Sequence, residues 1–188
     1  MNQVLKKIKK KLIYSRRRSK IVPVSFWEYE LVSFIGGYLN MVTVNINGQQ
    51  VKVSKDMTLC QAAESVGHII PTFCYDKRFE IEDKCGICIV ECNGEKLRGC
   101  STLVREGLEI KTHTPEIIKR RKEILESIIV DHPLDCLVCK KSGHCKLQDY
   151  CYEYGVEQKH NSCSEELPID RSNPFYDIDP NKCISCGK

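Results

Sequence analysis

Alternating apolar and polar residues first appear shortly after position 40. Val42–Ile46 and Val51–Val53 each place apolar side chains at every second position, and Asn47–Gly48 lies between these two runs. Asn-Gly between alternating runs is the strongest short-range signal for a β-hairpin, because both turn residues must adopt positive φ angles. The pattern therefore predicts two antiparallel strands at the start of a domain.

A helix and a long loop are predicted next. Thr58 and Gln61 have the spacing of a capping box, in which each residue satisfies a backbone N–H group of the other. Gly67 provides a stop for the helix, because glycine readily takes the left-handed conformation that ends helices. Residues 71–84 have no apolar period, so they are expected to form a loop.

Short strand patterns resume after this loop. Residues 87–91 and 96–97 are predicted as strands around Asn93–Gly94, and residues 108–111 as a further strand. Two strands, a helix, a cysteine-bearing loop and further strands are typical of a β-grasp domain of the [2Fe–2S] ferredoxin-like kind. We assign this domain to residues 41–113, and the predicted fold class is α+β.

A second, smaller domain is predicted over residues 114–165. Thr114 and Pro115 are typical of a helix start, and Pro133 is expected to follow the end of that helix. Apolar residues recur at helical spacing between them, at Ile117, Ile118, Ile124, Leu125, Ile128, Ile129 and Val130. The rest of this small helical domain is too poor in apolar residues to bury a core unaided, so metal ligation is expected to supply the missing stability.

Neither end of the chain is assigned to these two domains. Residues 1–40 form a basic leader that we predict to be disordered, or the result of a start assigned too early, with Met41 as the true initiator. A membrane-surface anchor or a targeting segment is the alternative for this leader. Residues 166–188 are predicted to be a polar, proline-bearing linker and the truncated start of a further [4Fe–4S] ferredoxin-type motif.

Thirteen cysteines in 188 residues exceed average usage several-fold. A secreted disulfide scaffold is disfavoured because the number is odd, no signal peptide is recognisable, and the spacings resemble those of metal ligands. A reducing cytosol, where thiols persist and can bind metal, fits better. We therefore expect a cytoplasmic protein, or one located peripherally at the inner membrane within a complex.

The net charge of +4 comes from the leader. Residues 1–20 contain nine of the 29 basic residues and no acidic residue, so residues 21–188 carry a net charge of −5. This balance argues against a body that binds nucleic acid. The sequence has no stretch of 18 apolar residues, and no transmembrane segment is predicted.

A first set of four cysteines could close a metal site. Its members are Cys74, Cys85, Cys88 and Cys100. A [2Fe–2S] cluster needs four thiolates, and loop ligands suit it because backbone N–H groups can turn toward the sulfur atoms. The plant-type ferredoxin spacing has four residues in the first gap, whereas this chain has ten. A tetrahedral zinc site is the alternative, since a Cys-x2-Cys pair with two further cysteines also suits zinc.

A second set combines one histidine with three cysteines. Its members are His132, Cys136, Cys139 and Cys145. One His with three Cys is a common structural zinc set, but after an iron–sulfur-like domain we expect a [4Fe–4S] cluster. His144 could compete as a ligand, and His132 is preferred because Pro133 fixes its local backbone. Two tandem four-ligand sites indicate electron transfer, with a zinc-binding structural protein as the alternative of a different class.

Four further cysteines are predicted to be non-ligands. Cys60 and Cys92 lie in a predicted helix and strand, where buried free cysteines behave as small hydrophobic residues. Cys151 and Cys163 have no partner cysteine at a useful spacing and are interpreted as spare thiols.

Together these motifs resemble a known family region. Residues 41–188 are similar to the N-terminal electron-entry region shared by the large iron–sulfur subunit of complex I, by NAD-linked or electron-bifurcating formate dehydrogenases, and by [FeFe] hydrogenases. The first family signature is Pro-x2-Cys-Tyr followed by Gly-x-Cys-Arg-x-Cys, and this chain matches it at Pro71, Cys74, Tyr75, Cys85 and Cys88. Asp83 and Gly86 replace the usual Gly and Arg.

The second signature is Cys-Pro-x-Cys followed by Cys-x-Leu-Gln. It is matched by Cys136, Cys139, Cys145, Leu147 and Gln148, with Leu137 where proline is often found. Cys183 and Cys186 resemble the first two ligands of a Cys-x2-Cys-x2-Cys-x3-Cys motif, with the other two ligands missing. The Ser172–Phe175 stretch before it looks closest to formate dehydrogenase.

The resemblance implies a [2Fe–2S] cluster at the first set and a His-ligated [4Fe–4S] cluster at the second. It implies an electron-transfer module of a larger oxidoreductase, most similar to a formate dehydrogenase or the large subunit of NADH dehydrogenase, with [FeFe] hydrogenase as an alternative. The implied partners are other redox subunits, NADH-linked or ferredoxin-linked. We find no pterin, hydrogenase-cluster or nicotinamide site in these residues, so no catalytic residue is assigned.

Overall fold

The computed structural model describes residues 40–133, 135–157 and 166–187. The predictions made for the leader (apart from Asn40) and for Cys163 concern residues outside this part of the chain. Among the described residues, no helix is both long and apolar enough to cross a membrane.

The predicted hairpin is confirmed. Strand β1, Met41–Ile46, pairs antiparallel with strand β2, Gln49–Ser54. Asn47 and Gly48 have φ angles of 51° and 91°, as a two-residue hairpin turn with the right twist requires. The strands are longer than the apolar alternation alone suggests, because their outer residues pair through backbone hydrogen bonds without needing an apolar side chain.

Three further strands complete a five-stranded mixed sheet. Strands β3, Ile89–Cys92, and β4, Glu95–Arg98, form a second hairpin, and strand β5, Glu109–Lys111, lies between the hairpins. The strand order is β2-β1-β5-β3-β4, with β5 parallel to β1 and antiparallel to β3. The connection between the two hairpins is long, and it carries a helix and most of the cysteine-bearing loop. The α+β class is confirmed.

Helix α1, Leu59–Ser65, has the predicted capping box. The Thr58 hydroxyl accepts a hydrogen bond from the Gln61 N–H at 3.3 Å, and the Gln61 side chain accepts one from the Thr58 N–H at 2.9 Å. This helix contributes its apolar face to one core shared with the sheet. The buried residues of this core are Val44, Ile46, Val53, Leu59, Cys60, Ala62, Ala63, Ile70, Cys88, Val90, Cys92, Cys100, Val104 and Ile110.

Helix α2, Pro115–Ile129, starts at the predicted N-cap Thr114. Its fully buried face comprises Ile117, Arg121 and Leu125, whereas Ile118 is 42% exposed. The apolar period correctly located the helix but not the buried arginine on its inner face.

Helix α3, Lys146–Glu153, follows the second cysteine set and was not assigned from the sequence. It has one apolar residue that becomes fully buried, Leu147, so an apolar period could not mark it. Leu147 joins Phe73, Ile87, Leu125 and Tyr154 in a second core. This core is flanked by cysteines from all three motifs, namely Cys85, Cys145 and Cys186.

The C-terminal segment has local structure where a linker was predicted. Asp170 and Ile178 form an isolated antiparallel bridge with two backbone hydrogen bonds of 2.9 Å. A single 3₁₀ turn, Pro180–Lys182, then leads into the last cysteine motif. Its side chains are largely exposed, as the polar composition indicates.

Candidate metal centres

The four cysteines of the first set come together as two pairs. The Sγ atoms of Cys74 and Cys85 are 3.3 Å apart, and Cys100 lies close enough to Cys88 for its thiol to lower the pKa of Cys88. Cys74, Cys88 and Cys100 are at most 1% exposed, and Cys85 is half-buried. Cys74 also acts electrostatically on Cys100, so the two pairs are neighbours. The fold thus brings these four thiols into one region, and their role as cluster ligands stays a prediction.

Backbone N–H groups surround these thiols. Burial would raise the pKa of Cys74, but hydrogen bonds from backbone N–H groups of Cys85 and Lys84, with the thiol of Cys85, lower it overall. The Cys85 thiol also receives backbone hydrogen bonds, although burial raises its pKa. Donors aimed at sulfur favour a negatively charged ligand, and they stabilise the more negative reduced state of an iron–sulfur group. The donor set therefore fits a [2Fe–2S] cluster.

Cys60 is closer to this centre than the sequence indicates. The Cys100 and Cys60 thiols both act on Cys88: they lower the pKa of Cys88, and the pKa values of Cys100 and Cys60 are raised in turn. Cys60 lies on α1, far from the loop in sequence, and spacing alone gave no sign of this contact. Cys92 is buried in the sheet core, and burial raises its pKa to about 11.

The tight packing at this centre depends on Gly99. A Cβ atom at this position would lie 3.0 Å from the Cys60 Sγ atom and 3.0 Å from the Cys88 carbonyl oxygen. The Gly99 N–H donates to the Cys88 carbonyl at 3.0 Å, and its carbonyl accepts from the Cys60 N–H at 2.9 Å. Gly99 therefore allows α1 and the segments carrying Cys88 and Cys100 to approach closely.

The two departures from the family signature also have structural consequences. Asp83 has a φ of 50°, in the left-handed region where glycine is easiest and aspartate is tolerated. Its Oδ1 atom lies 3.7 Å from the Cys100 Sγ atom, and its carboxylate pairs with Arg98 at 3.3 Å. Gly86 has a φ of 69°. Asp83 therefore adds a partly compensated negative charge beside the first set.

The second set lies on a series of tight turns. The N–H of Cys139 donates to the carbonyl of Cys136 at 3.3 Å, and the N–H of Ser142 donates to the carbonyl of Cys139 at 3.0 Å. Cys145 is the N-cap of α3 and makes no side-chain capping hydrogen bond, so its thiol is not used by the helix. All three cysteines of this set are partly exposed.

His132 is oriented by its neighbour. Its Nδ1 atom lies 3.0 Å from the carbonyl oxygen of Pro133, which can only accept a hydrogen bond. Nδ1 therefore carries the proton, and Nε2 keeps the lone pair that a metal ligand needs. Within the described ranges, no three His, Cys, Asp or Glu side chains have the geometry to hold a single metal ion. The membership of the second set therefore stays a prediction.

Cys151 is a competing thiol at the second set. Burial, and then the charges of Cys145 and Cys136, raise the pKa of Cys151 to about 11, so Cys151 lies within electrostatic reach of each of these two cysteines. Cys151 lies on α3, about one and a half helical turns after Cys145. The sequence gave it no partner because its spacing from Cys145 matches no ligand motif.

The last cysteine motif folds back toward the second set. The Lys182 ammonium group and the Asp135 carboxylate are 2.5 Å apart, and each residue immediately precedes a motif cysteine. Cys186 packs on the second core, whereas Cys183 is exposed. The assignment of Cys183 and Cys186 to a four-ligand motif stays a prediction.

Two family models match successive parts of the chain. Residues 40–115 match a 2Fe–2S iron–sulfur cluster binding domain. Residues 121–160 match the NADH-ubiquinone oxidoreductase-G iron–sulfur binding region, which is of the 4Fe–4S type. Both matched regions include the corresponding predicted set of four ligands.

Known proteins of similar sequence are subunits of oxidoreductases. The chain is 36% identical over 151 residues to the alpha subunit of NADPH-Fe(3+) oxidoreductase from Geobacter sulfurreducens, covering 79% of this chain and 18% of that protein. It is 34% identical over 151 residues to the NADH-ubiquinone oxidoreductase 75 kDa subunit from Reclinomonas americana, covering 79% and 22%. The chain thus spans about a fifth of the length of these relatives.

A solved structure also resembles this fold. The NAD⁺-reducing [NiFe]-hydrogenase, in its H2-reduced state, contains a chain that aligns with a TM-score of 0.72 and 28% identity. The alignment covers 78% of this chain and 63% of that chain. These comparisons confirm the predicted resemblance, the ferredoxin-like fold class and the two predicted cofactors, a [2Fe–2S] and a [4Fe–4S] cluster.

Proposed function

We propose that this chain is an iron–sulfur electron-transfer region of a larger oxidoreductase. It passes electrons one at a time between a cluster at the first set and a cluster at the second set, and both sets border its second core. The observation that carries the proposal is the arrangement of the first set. Four thiols form two adjacent pairs, and backbone N–H groups point at their sulfur atoms. A bound cluster would supply a one-electron acceptor that changes charge with little change in geometry.

The first set is proposed to bind a [2Fe–2S] cluster with two thiolates on each iron. Cys74 and Cys85 would bind one iron, and Cys88 and Cys100 the other, because these are the pairs already in contact. The strand order, in which β5 lies between the two hairpins and is parallel to β1, supports a β-grasp topology for residues 41–113. The helix and sheet core holds Cys88 and Cys100 rigidly, as a site with small reorganisation on electron transfer requires.

The second set is proposed to bind a [4Fe–4S] cluster in a domain over residues 114–165. Its ligands would be His132 through Nε2 and the thiolates of Cys136, Cys139 and Cys145. Cys151 is the competitor, since its thiol lies near two of these three cysteines. Replacing Cys151 by serine should leave the cluster in place if His132 is the fourth ligand.

The second core is proposed to insulate the route between the sites. Phe73 and Ile87 neighbour the first set in sequence, and Leu147 follows Cys145 closely. Cys85 and Cys145 both pack against this core, so apolar side chains border the two sets on the side where the core lies. A medium of low dielectric constant reduces the solvent rearrangement that accompanies a moving charge.

The parent enzyme is proposed to be linked to a nicotinamide or ferredoxin partner. Formate dehydrogenase and the large subunit of NADH dehydrogenase are the candidates that the sequence motifs favour, with [FeFe] hydrogenase as an alternative. The name of the Geobacter relative adds NADPH-linked reduction of Fe(3+) as a related possibility. We propose that other redox subunits bind this region, and that it works in the cytoplasm, either free or peripheral to the inner membrane.

The experiment that tests this function is anaerobic reconstitution of the 188-residue chain. About six iron and six acid-labile sulfide per chain are expected, two from the first set and four from the second. The protein should be brown and should bleach with dithionite, and EPR of the reduced sample should resolve two signals. Stoichiometric zinc without sulfide would instead support the structural alternative for the set that it occupied.

The ligand assignment at the second set needs its own comparison. Cys151→Ser should retain about six iron per chain, whereas Cys139→Ser should retain only about two, because it removes a proposed ligand. A loss of about four iron from the Cys151 variant would make Cys151 the fourth ligand in place of His132.

A further inference from the structure

Arg121 is the largest fully buried side chain of the described residues, with 0% exposure. It lies on α2 and joins the two proposed domains. Its Nη1 atom donates to the Tyr154 hydroxyl at 2.9 Å, and its Nη2 atom donates to the Ile89 carbonyl at 2.8 Å. Ile89 immediately follows the proposed ligand Cys88, and Tyr154 caps α3 after the second set.

The positive charge of Arg121 has no carboxylate partner within ion-pair distance in the described part of the chain. Both of its hydrogen-bond acceptors are uncharged oxygen atoms, and its Nε atom has no hydrogen-bond partner there. The Tyr154 ring lies 5.9 Å from the guanidinium carbon and contributes a cation–π contact. Burial of an arginine without a counter-ion is costly, so a nearby negative group is expected.

Arg121 lies beside the segment that carries Cys88 of the first set, because its Nη2 atom is held 2.8 Å from the carbonyl oxygen of the next residue, Ile89. On the other side, burial and then Arg121 lower the pKa of His113. Glu153 is the acidic residue whose charge also acts here, but its side chain is exposed and forms no ion pair with Arg121.

We propose that Arg121 is the buried counter-charge of the [2Fe–2S] site, where it raises the reduction potential, and that its two hydrogen bonds hold the two domains in register. This inference rests on the proposed function. An oxidised [2Fe–2S] core with four thiolates carries a net double negative charge, and reduction adds a third. Net charge is one of the quantities that set such potentials. A fixed positive charge stabilises the reduced form more than the oxidised form, so the potential rises.

Neighbouring Arg120 provides a matched control. It lies next to Arg121 on the same helix, but its side chain is 56% exposed and pairs with Glu123 at 2.9 Å. Water screens such a charge, so Arg120→Met removes the same formal charge without the buried interaction. Arg121→Met and Arg121→Gln remove the buried charge. Arg121→Lys keeps the charge but loses the pair of hydrogen bonds that the guanidinium group makes to Tyr154 and Ile89.

The experiment is an EPR-monitored redox titration of the reconstituted full chain. In Arg121→Met, the equilibrium constant for reduction of the [2Fe–2S] cluster should fall at least tenfold. This corresponds to a reduction potential lower by about 59 mV for one electron. The [4Fe–4S] equilibrium should change less, since the contact to Ile89 places Arg121 beside the first set. Arg121→Lys should shift the [2Fe–2S] potential much less than Arg121→Met does, and Arg120→Met should leave it at the wild-type value.

The outcomes separate the proposal from the function on which it rests. If wild-type protein gives no [2Fe–2S] signal, the proposed function itself fails. If wild-type protein loads normally and Arg121→Met shows no shift, or the same shift as Arg120→Met, the counter-charge is overturned. If both charge-removing variants fold by circular dichroism but lose this cluster while Arg121→Lys keeps it, the counter-charge is supported. If all three Arg121 variants unfold, the role is structural and the electrostatic proposal is overturned.

Discussion

Replacing Gly99 by alanine tests how closely the first set is packed. The new Cβ atom would lie 3.0 Å from both the Cys60 Sγ atom and the Cys88 carbonyl oxygen. Ordinary contacts begin near ~3.5 Å, so the methyl group is too close on two sides. The backbone of Gly99 cannot easily retreat, because its N–H and carbonyl groups are both hydrogen-bonded within this centre.

The expected cost follows from this geometry. Extra methyl groups in well-packed cores typically cost about 1–3 kcal/mol, and a backbone oxygen on one side favours the upper part of that range. For a domain of this size the thermal midpoint should fall by roughly 4–20 °C. Because Cys100 is the next residue, we also expect lower occupancy of the [2Fe–2S] site.

The assay combines thermal unfolding with iron analysis on anaerobic samples. Samples must be compared at equal cluster content, because a bound group itself raises the midpoint by mass action. Cys60→Ala removes one of the two colliding atoms, so the double variant should be less destabilised than the sum of the single variants, by about 0.5 kcal/mol or more. A Gly99→Ala protein with wild-type midpoint and iron content, or strict additivity with Cys60→Ala, would refute the packing argument.

Three further predictions concern the charges and ligands. His132→Cys adds a negative charge to the second set and should lower the potential of its cluster by on the order of 100 mV, given the effect of His ligands in Rieske centres. A redox titration that finds an unchanged potential, with the cluster intact, would show that His132 is not a ligand. Asp83→Gly keeps the left-handed backbone and removes a carboxylate beside Cys100, so the [2Fe–2S] potential should rise, by less than about 59 mV because Asp83 is partly exposed and paired with Arg98; a fall would contradict this. Changing both Cys183 and Cys186 to serine should leave iron content and EPR signals unaltered, whereas a loss of about four iron would indicate a third cluster in this chain.

The backbone elements of the first domain could be predicted because their signals are local. Asn47–Gly48 requires a hairpin turn through its own φ angles, and Thr58 with Gln61 caps a helix through groups three residues apart. Cysteine spacing also predicts two sets of four ligands, because a chelating loop must hold a pair of ligands close in sequence, and their membership stays a prediction. Helix α3 escaped prediction because its few apolar residues do not form a period.

Contacts between residues far apart in sequence were decided by the tertiary structure alone. From spacing alone, Cys60 and Cys151 were assigned no role. In the folded chain α1 and α3 bring these two cysteines near the proposed ligand thiols, through contacts that cysteine spacing does not encode. Arg121 looks like one more polar residue in a charged helix, yet the fold buries it between Ile89 and Tyr154. Local patterns therefore determined which groups could bind iron, and packing between distant segments decided the charges and thiols that surround them.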